Sequence, residues 1–241
     1  MLRTVYWYLH FVISLLLQTP HMLQAKKHRL AMTDAEFTAF VTPIVQKWAR
    51  AQAKASGARF HITGQENIPK DGAVLFVCNH QSNFDIDIML SFIDKPMGFL
   101  AKVEILKLPL VRTWMNFIRC VFLDRSDIRK GAQAIVDGIQ VLKSGHSLVL
   151  FPEGTRSKGP KPLGEFKGGS FKLATKSLVP VVPITVDGSY KIMEANHNRI
   201  VPADVYITIH EPLDTAAMSK EELARLPETV KEIIAKALPY A

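Results

Sequence analysis

His80 and Asp85 stand five residues apart in NHQSNFD (79–85), directly after the apolar run AVLFVC (73–78). An imidazole beside a carboxylate can work as a general base. The carboxylate accepts the Nδ1 proton and fixes the tautomer, and Nε2 is left to take a proton from a hydroxyl. On one continuous helix a five-residue step separates two side chains by about 140°, so this pair can meet only across a turn. Such a turn exists if His80 lies in a loop and Ser82 or Asn83 opens the next helix, with Asp85 in its first turn. The same spacing also reads as a capping box from Ser82 to Asp85, in which the carboxylate serves backbone amides alone.

A second cluster follows the apolar run SLVLF (147–151). In FPEGTRS (151–157), Glu153, Gly154, Thr155 and Arg156 put a carboxylate, a turn glycine, a hydroxyl and a guanidinium into one loop, with Lys167, Gly168 and Gly169 soon after at a helix start. A planar guanidinium fork suits phosphate oxygens, and helix-start amides can add donors. An anion site is therefore one use of the loop, and a Glu153 to Arg156 surface pair is the other. Cys78 and Cys120 each sit in a short apolar run and read as small buried hydrophobes. Two cysteines make no disulfide scaffold, and no His/Cys spacing supports a metal.

Both loops need a frame that holds them at one place. After Gly57 the chain alternates short β-rich runs with helical patterns. The strand candidates are FHIT (60–63), AVLFVC, MGFLA (97–101), CVFLD (120–124), SLVLF, VVPITV (181–186) and VYITIH (205–210). Helical patterns fall at about 83–93, 105–118, 128–143, 168–177 and 219–238. This alternation predicts an α/β domain over 58–241, a mostly parallel sheet flanked by helices. Ligands of such sheets collect at the carboxyl ends of the strands, where both loops lie. SKGPKPLGEF reads as a long loop.

Residues 1–57 differ in texture. Six of the chain's eight net positive charges belong to the first 59 residues, where Arg3, Lys26, Lys27, Arg29, Lys47, Arg50, Lys54 and Arg59 oppose only Asp34 and Glu36. A basic end implies an anionic partner surface: nucleic acid, acidic protein or lipid. The apolar stretch from Val5 to Leu17, with Tyr6, Trp7 and Tyr8 bunched at its start, selects lipid. As a helix it reaches about 20 Å, short of a hydrocarbon core about 30 Å thick. A helix lying in one leaflet is expected rather than a span. A second helix, with Thr33 as its N-terminal signal and Phe37, Phe40, Val41, Ile44, Val45 and Trp48 on one face, completes a two-helix membrane-binding motif. A plain packing helix over 34–55 and a cleavable signal peptide are the alternatives.

Length and composition agree with this division. The chain has 241 residues, 48% hydrophobic and 22% charged, enough for one sizeable α/β domain with a small appendage and too few for two catalytic domains. Disordered, collagen-like and heptad-array proteins are excluded.

NHQSNFD, KVEILKLPLV (102–111) running on to FLDRSD (122–127), FPEGTRS and VVPITV occur together and in order, and so resemble the four sequence blocks of the glycerolipid acyltransferase family, over about residues 60–190. The likeness is strongest to the bacterial 1-acyl-sn-glycerol-3-phosphate acyltransferases. It implies that His80 is the general base and Asp85 its orienting partner. Glu153, Gly154 and Arg156, with Thr155 between them, match the block implicated in binding the glycerol phosphate acceptor, and Lys102 and Arg125 match basic positions of the second block. Gly168 departs from the family, where a second lysine is common, and Leu123 stands where isoleucine is usual.

The function so implied is transfer of an acyl chain from a thioester, on acyl carrier protein or coenzyme A, to the 2-hydroxyl of lysophosphatidate. No cofactor, metal or nucleic acid is expected, and no G-x-S-x-G offers a serine nucleophile. Glycerol 3-phosphate or another lysophospholipid is the alternative acceptor, and a non-catalytic membrane-binding module is the alternative class. Arg125 has the further option of ion pairing with Asp124 and Asp127. The expected location is the cytoplasmic face of the cell membrane, with the protein monotopic on an anionic surface.

Overall fold

The computed structural model describes residues 1–240. Seven strands, β1 (Arg59–Thr63), β2 (Leu75–Cys78), β3 (Met97–Lys102), β4 (Val121–Leu123), β5 (Ser147–Leu150), β6 (Val181–Asp187) and β7 (Asp204–Ile209), form one sheet in the order β1-β7-β6-β2-β5-β3-β4. Each coincides with one of the apolar runs. Every pairing is parallel except β6 with β7. β2 and β5 are buried along their whole length, because helices cover both faces and leave no solvent side to demand polar residues. Pro183 is tolerated within β6 since it lies one residue outside the antiparallel ladder that begins at Ile184↔Ile209, and it still accepts from the His210 amide at 3.0 Å.

The helices of the body are α4 (Phe84–Phe92), α5 (Pro109–Phe117), α6 (Ile128–Lys143), α7 (Lys172–Ser177) and α8 (Lys220–Lys236), numbered after three N-terminal helices. Alternation along β2 splits the core. Phe76 and Cys78 face α4 and the N-terminal helices, whereas Leu75 and Val77 face Ala134 and Leu142 of α6, Leu173 of α7, and Val230 and Ile234 of α8. Cys78 is fully buried and Cys120 half-buried against the core, both unpaired.

The N-terminal region is α1 (Leu2–Leu17), α2 (Thr19–His28) and α3 (Asp34–Ser56). The helix expected over Val5 to Leu17 lies within α1, and α2 is a further helix set off from it at Gln18, because Pro20 lacks the amide that would bond the Leu16 carbonyl. Thr33 and Glu36 form a capping box at the start of α3, and Gly57, at φ 76°, ends it in the left-handed conformation.

Phe37, Val41, Val45 and Ala49 of α3 are buried, and Arg50 donates to the Ser91 carbonyl at the end of α4 (2.9 Å). α3 is therefore a packing helix, the second of the readings open for that stretch. α1 lies on it. Trp7 is buried against Phe84 and donates to the Gln52 carbonyl (3.2 Å), and Ser14 bonds Trp48 and Gln52. The outward face of α1 carries Leu2, Val5, Tyr6, Leu9, Val12, Ile13, Leu16 and Leu17, all more than half exposed. No helix among the described residues is long and apolar enough to cross a membrane.

Asp87 is buried on α4 and takes part in no ion pair among the described residues, and burial pushes its carboxyl up to about 8. Between about pH 4 and pH 8 the folded protein keeps a proton that the unfolded chain has released, so this group subtracts from stability as pH rises through that window. Asp87→Asn is expected to raise stability by on the order of 1–3 kcal/mol at pH 8, with a gain that shrinks toward pH 4. Thermal melts of both proteins across that range check it, and an unchanged pH slope would contradict it.

Candidate active site

Strands β2 and β5 are parallel neighbours, with Val77 opposite Leu150, so their carboxyl ends deliver NHQSNFD and FPEGTRS side by side. Asn79 clamps the first loop to β6 through both faces of its amide, donating to the Val186 carbonyl and accepting from the Val186 amide at 2.8 Å each. Gln81 adds a second clamp. Its Oε1 accepts from the Gly188 amide (3.0 Å) and its Nε2 donates to the Tyr240 hydroxyl, whose own proton burial holds on more firmly than usual. Between these clamps His80 turns outward and stacks on Phe151, with ring centroids 4.1 Å apart and planes 20° apart.

The expected turn is present. His80 Nδ1 lies 2.7 Å from Asp85 Oδ2. The same oxygen accepts from the amides of Gln81 (2.7 Å) and Ser82 (2.9 Å), and Oδ1 accepts from the Ser189 hydroxyl (2.5 Å). Asp85 is fully buried. It therefore serves amides and histidine together, and the reciprocal half of the capping box is missing. The Ser82 hydroxyl accepts from the Phe84 amide and donates to Glu194 instead. With Nδ1 facing the carboxylate, the ring proton belongs there, and Nε2 presents its lone pair. No protein group among the described residues bonds Nε2.

The second loop departs from one of its two readings, the surface pair. Glu153 makes no pair with Arg156. Its oxygens accept from the His80 amide (2.9 Å) and the Gly164 amide (3.1 Å), so it fastens the two loops together. The Ser157 amide completes the join by donating to the His80 carbonyl (2.8 Å). Arg156 pairs with Glu194 at 2.8 Å. Arg125 does not pair with Asp124 or Asp127, which lie near Lys130, and its guanidinium donates to the Gly154 carbonyl. Gly154 is at φ 70°, and a Cβ there would come within 3.1 Å of that guanidinium, two reasons for a glycine.

Thr155 is exposed. Lys102 ends β3 at the same end of the sheet, but it pairs with Glu104 (2.8 Å) and no hydrogen bond or ion pair joins it to the other candidates. Chemistry on a covalent cysteine is disfavoured, because burial pushes the Cys78 thiol well up and it donates to the Asn79 carbonyl. No group of three or more potential metal ligands occurs among the described residues.

Two contributors escaped the sequence reading. Ser189 lies just past the carboxyl end of β6, so the rule that singled out the other two loops reaches it as well. Glu194, in a short 3-10 turn beyond β6, carries no such mark.

The family model described as "Acyltransferase" matches residues 59–187, just over half of the chain and all of the strands that carry these loops. The chain belongs to the acyltransferase family. It is 32% identical over 183 residues to a 1-acyl-sn-glycerol-3-phosphate acyltransferase of Borreliella burgdorferi, covering 76% of this chain and 73% of that one. It is 40% identical over 158 residues to a probable enzyme of that name from Mycoplasma pneumoniae, covering 62% of this chain and 56% of that one. The matched segment thus spans little more than half the length of the Mycoplasma relative. The crystal structure of the 1-acyl-sn-glycerophosphate acyltransferase PlsC from Thermotoga maritima superposes with a TM-score of 0.84 at 31% identity, over 98% of this chain and 93% of that one.

Ser189→Ala would leave Asp85 Oδ1 without its donor inside a site closed to water. Loss of a partner to a buried carboxylate costs about 1–3 kcal/mol, so the denaturation midpoint should fall by a corresponding amount. Wild-type stability would mean that another donor serves Oδ1.

Proposed function

We propose that the protein is a 1-acylglycerol-3-phosphate O-acyltransferase, making phosphatidate from lysophosphatidate and an acyl thioester. The observation that carries this reading is the buried Asp85 against His80 Nδ1, with Nε2 open and Arg156 on the loop hydrogen-bonded to His80. A docking module has no use for an imidazole so oriented. The relatives' names supply the acceptor and agree with a guanidinium on the loop joined to His80.

In this mechanism His80 Nε2 takes the proton of the acceptor's free 2-hydroxyl as its oxygen attacks the thioester carbonyl. Asp85 holds the imidazolium that forms. The tetrahedral oxyanion, held by backbone amides, collapses with cleavage of the C–S bond, and the imidazolium returns its proton to the departing thiolate. The ester forms in one transfer without an acyl-enzyme. Arg156, with Arg125 and Lys102, meets the acceptor phosphate. Gly154 and Glu153 shape the loop, with Thr155 at its exposed edge. Acyl carrier protein and coenzyme A are both suited to the basic surface as carriers, and the chemistry requires no cofactor.

Within residues 1–57, α1 and α2 act as the membrane-associated part and α3 packs them onto the catalytic domain of residues 58–241. α1 lies in one leaflet through its outward apolar face, near the anionic headgroups that Lys26, Lys27 and Arg29 attract, on the cytoplasmic side of the cell membrane. Each apolar side chain buried in lipid is worth roughly 1.5 kcal/mol or more, and each basic residue near the surface about 1 kcal/mol, so the apolar face dominates.

Two experiments test the reading. With purified protein, lysophosphatidate and both thioesters, His80→Ala should abolish turnover. Arg156→Ala should raise acceptor KM roughly ten- to hundredfold, the cost of a charge-assisted contact, with donor KM unchanged. Transfer to glycerol 3-phosphate alone would overturn the acceptor, and a rise in donor KM alone would move the phosphate site. In vesicle flotation, high salt should weaken but not release wild-type protein, whereas Val5→Glu, Leu9→Glu and Ile13→Glu together should release it, since all three side chains point away from the fold.

A further inference from the structure

Glu194 lies seven residues beyond the span matched by the family model and outside every block that the sequence singled out. Its side chain is only 3% exposed, yet both oxygens are engaged. Oε2 accepts from the Ser82 hydroxyl at 2.6 Å, and Oε1 accepts from the Asn83 amide at 2.9 Å and from Arg156 Nη1 at 2.8 Å. One buried carboxylate therefore joins the two residues that open α4, immediately before Asp85, to the guanidinium on the neighbouring loop. Among the described residues, Arg156 is the only cation that pairs with it. Nη2 and Nε of that guanidinium bond no protein group among the described residues, which leaves an edge of its fork for a ligand.

We infer that Glu194 is a positioning residue that holds Arg156 for the acceptor phosphate and ties it to the turn carrying the His80–Asp85 pair. The inference rests on the proposed role of Arg156. A free arginine samples many rotamers and must lose them to bind, whereas one already held through Nη1 presents its remaining donors in a fixed plane. The opposing effect is repulsion between the Glu194 carboxylate and the phosphate. That repulsion is the smaller effect here because Glu194 is already neutralised by the shared arginine and satisfied by two further donors. A phosphate that engages the outer edge of Arg156 leaves the Nη1 contact in place.

Glu194→Gln separates charge from shape. The amide oxygen can still accept from Asn83 and Arg156, and the amide nitrogen can donate to Ser82, whose hydroxyl has a lone pair to spare. This variant should melt within a few degrees of wild type. Its acceptor KM should rise three- to tenfold, with donor KM within twofold and the pH profile of kcat unmoved. Glu194→Ala also frees Ser82 and Asn83, so it should lower kcat at least tenfold in addition. Arg156→Ala combined with Glu194→Gln should show an acceptor KM no higher than Arg156→Ala alone, because Glu194 acts on the acceptor through that arginine.

A wild-type acceptor KM in Glu194→Gln, alongside a raised one in Arg156→Ala, would overturn the inference and leave the acceptor site standing. A lowered acceptor KM would make Glu194 a competitor for the guanidinium and overturn it as well. Equal losses in acceptor KM, donor KM and kcat would reduce Glu194 to a general support of the fold. If Arg156→Ala itself left acceptor KM unchanged, the reading of Arg156 would fall and this inference with it.

Discussion

A carboxylate with no exposed surface, Asp85, is the group that the loops around it are built to satisfy. An ion of this kind is tolerated inside a protein only when several donors replace water. Here they are an imidazole, two successive backbone amides and a serine hydroxyl from a third loop. Each donor constrains its own segment. The amides of Gln81 and Ser82 require the chain to turn sharply after β2, and that turn swings His80 out and α4 in. Ser189 requires the end of β6 to lie against the same turn. The geometry of the His80–Asp85 pair is thus a by-product of solving a solvation problem.

The same logic extends one layer outward. Glu153 and Glu194 are carboxylates that do not touch His80 Nε2, yet each spans two loops: Glu153 takes amides from His80 and Gly164, and Glu194 takes donors from the start of α4 and from Arg156. Three acidic side chains hold the strand-end loops as one body. Precise placement of His80 relative to Arg156 follows from such cross-links more than from the loops' own stiffness. It also accounts for positive charge in the site without self-repulsion, since Arg156 has its counter-ion within the protein.

The N-terminal helices follow from the same core. α3 buries its apolar face against α4, the helix that begins at the turn carrying His80 and Asp85, and Trp7 of α1 reaches Phe84 at the first residue of α4. The helix with the outward apolar face is therefore in direct contact with the element that carries Asp85.

Much of the fold was legible in the residues. Seven β-rich runs became seven strands, and in the central β2 and β5 this is because the local composition of a doubly covered parallel strand is itself a continuous apolar run. The helical patterns at 83–93, 128–143 and 219–238 reappear as α4, α6 and α8, with no end displaced by more than two residues. His80 and Asp85 were legible too, since a five-residue step across a turn is a local geometry. The order of the strands, the antiparallel β6 and β7, and the fate of the charged side chains were not. Glu194 meets Asn83 and Arg156 across 111 and 38 residues, and Glu153 meets the His80 amide across 73. Contacts of that length leave no period or spacing in a chain. Residue types decided which chemistry was on offer; only the packing of the sheet decided which carboxylate each arginine would face.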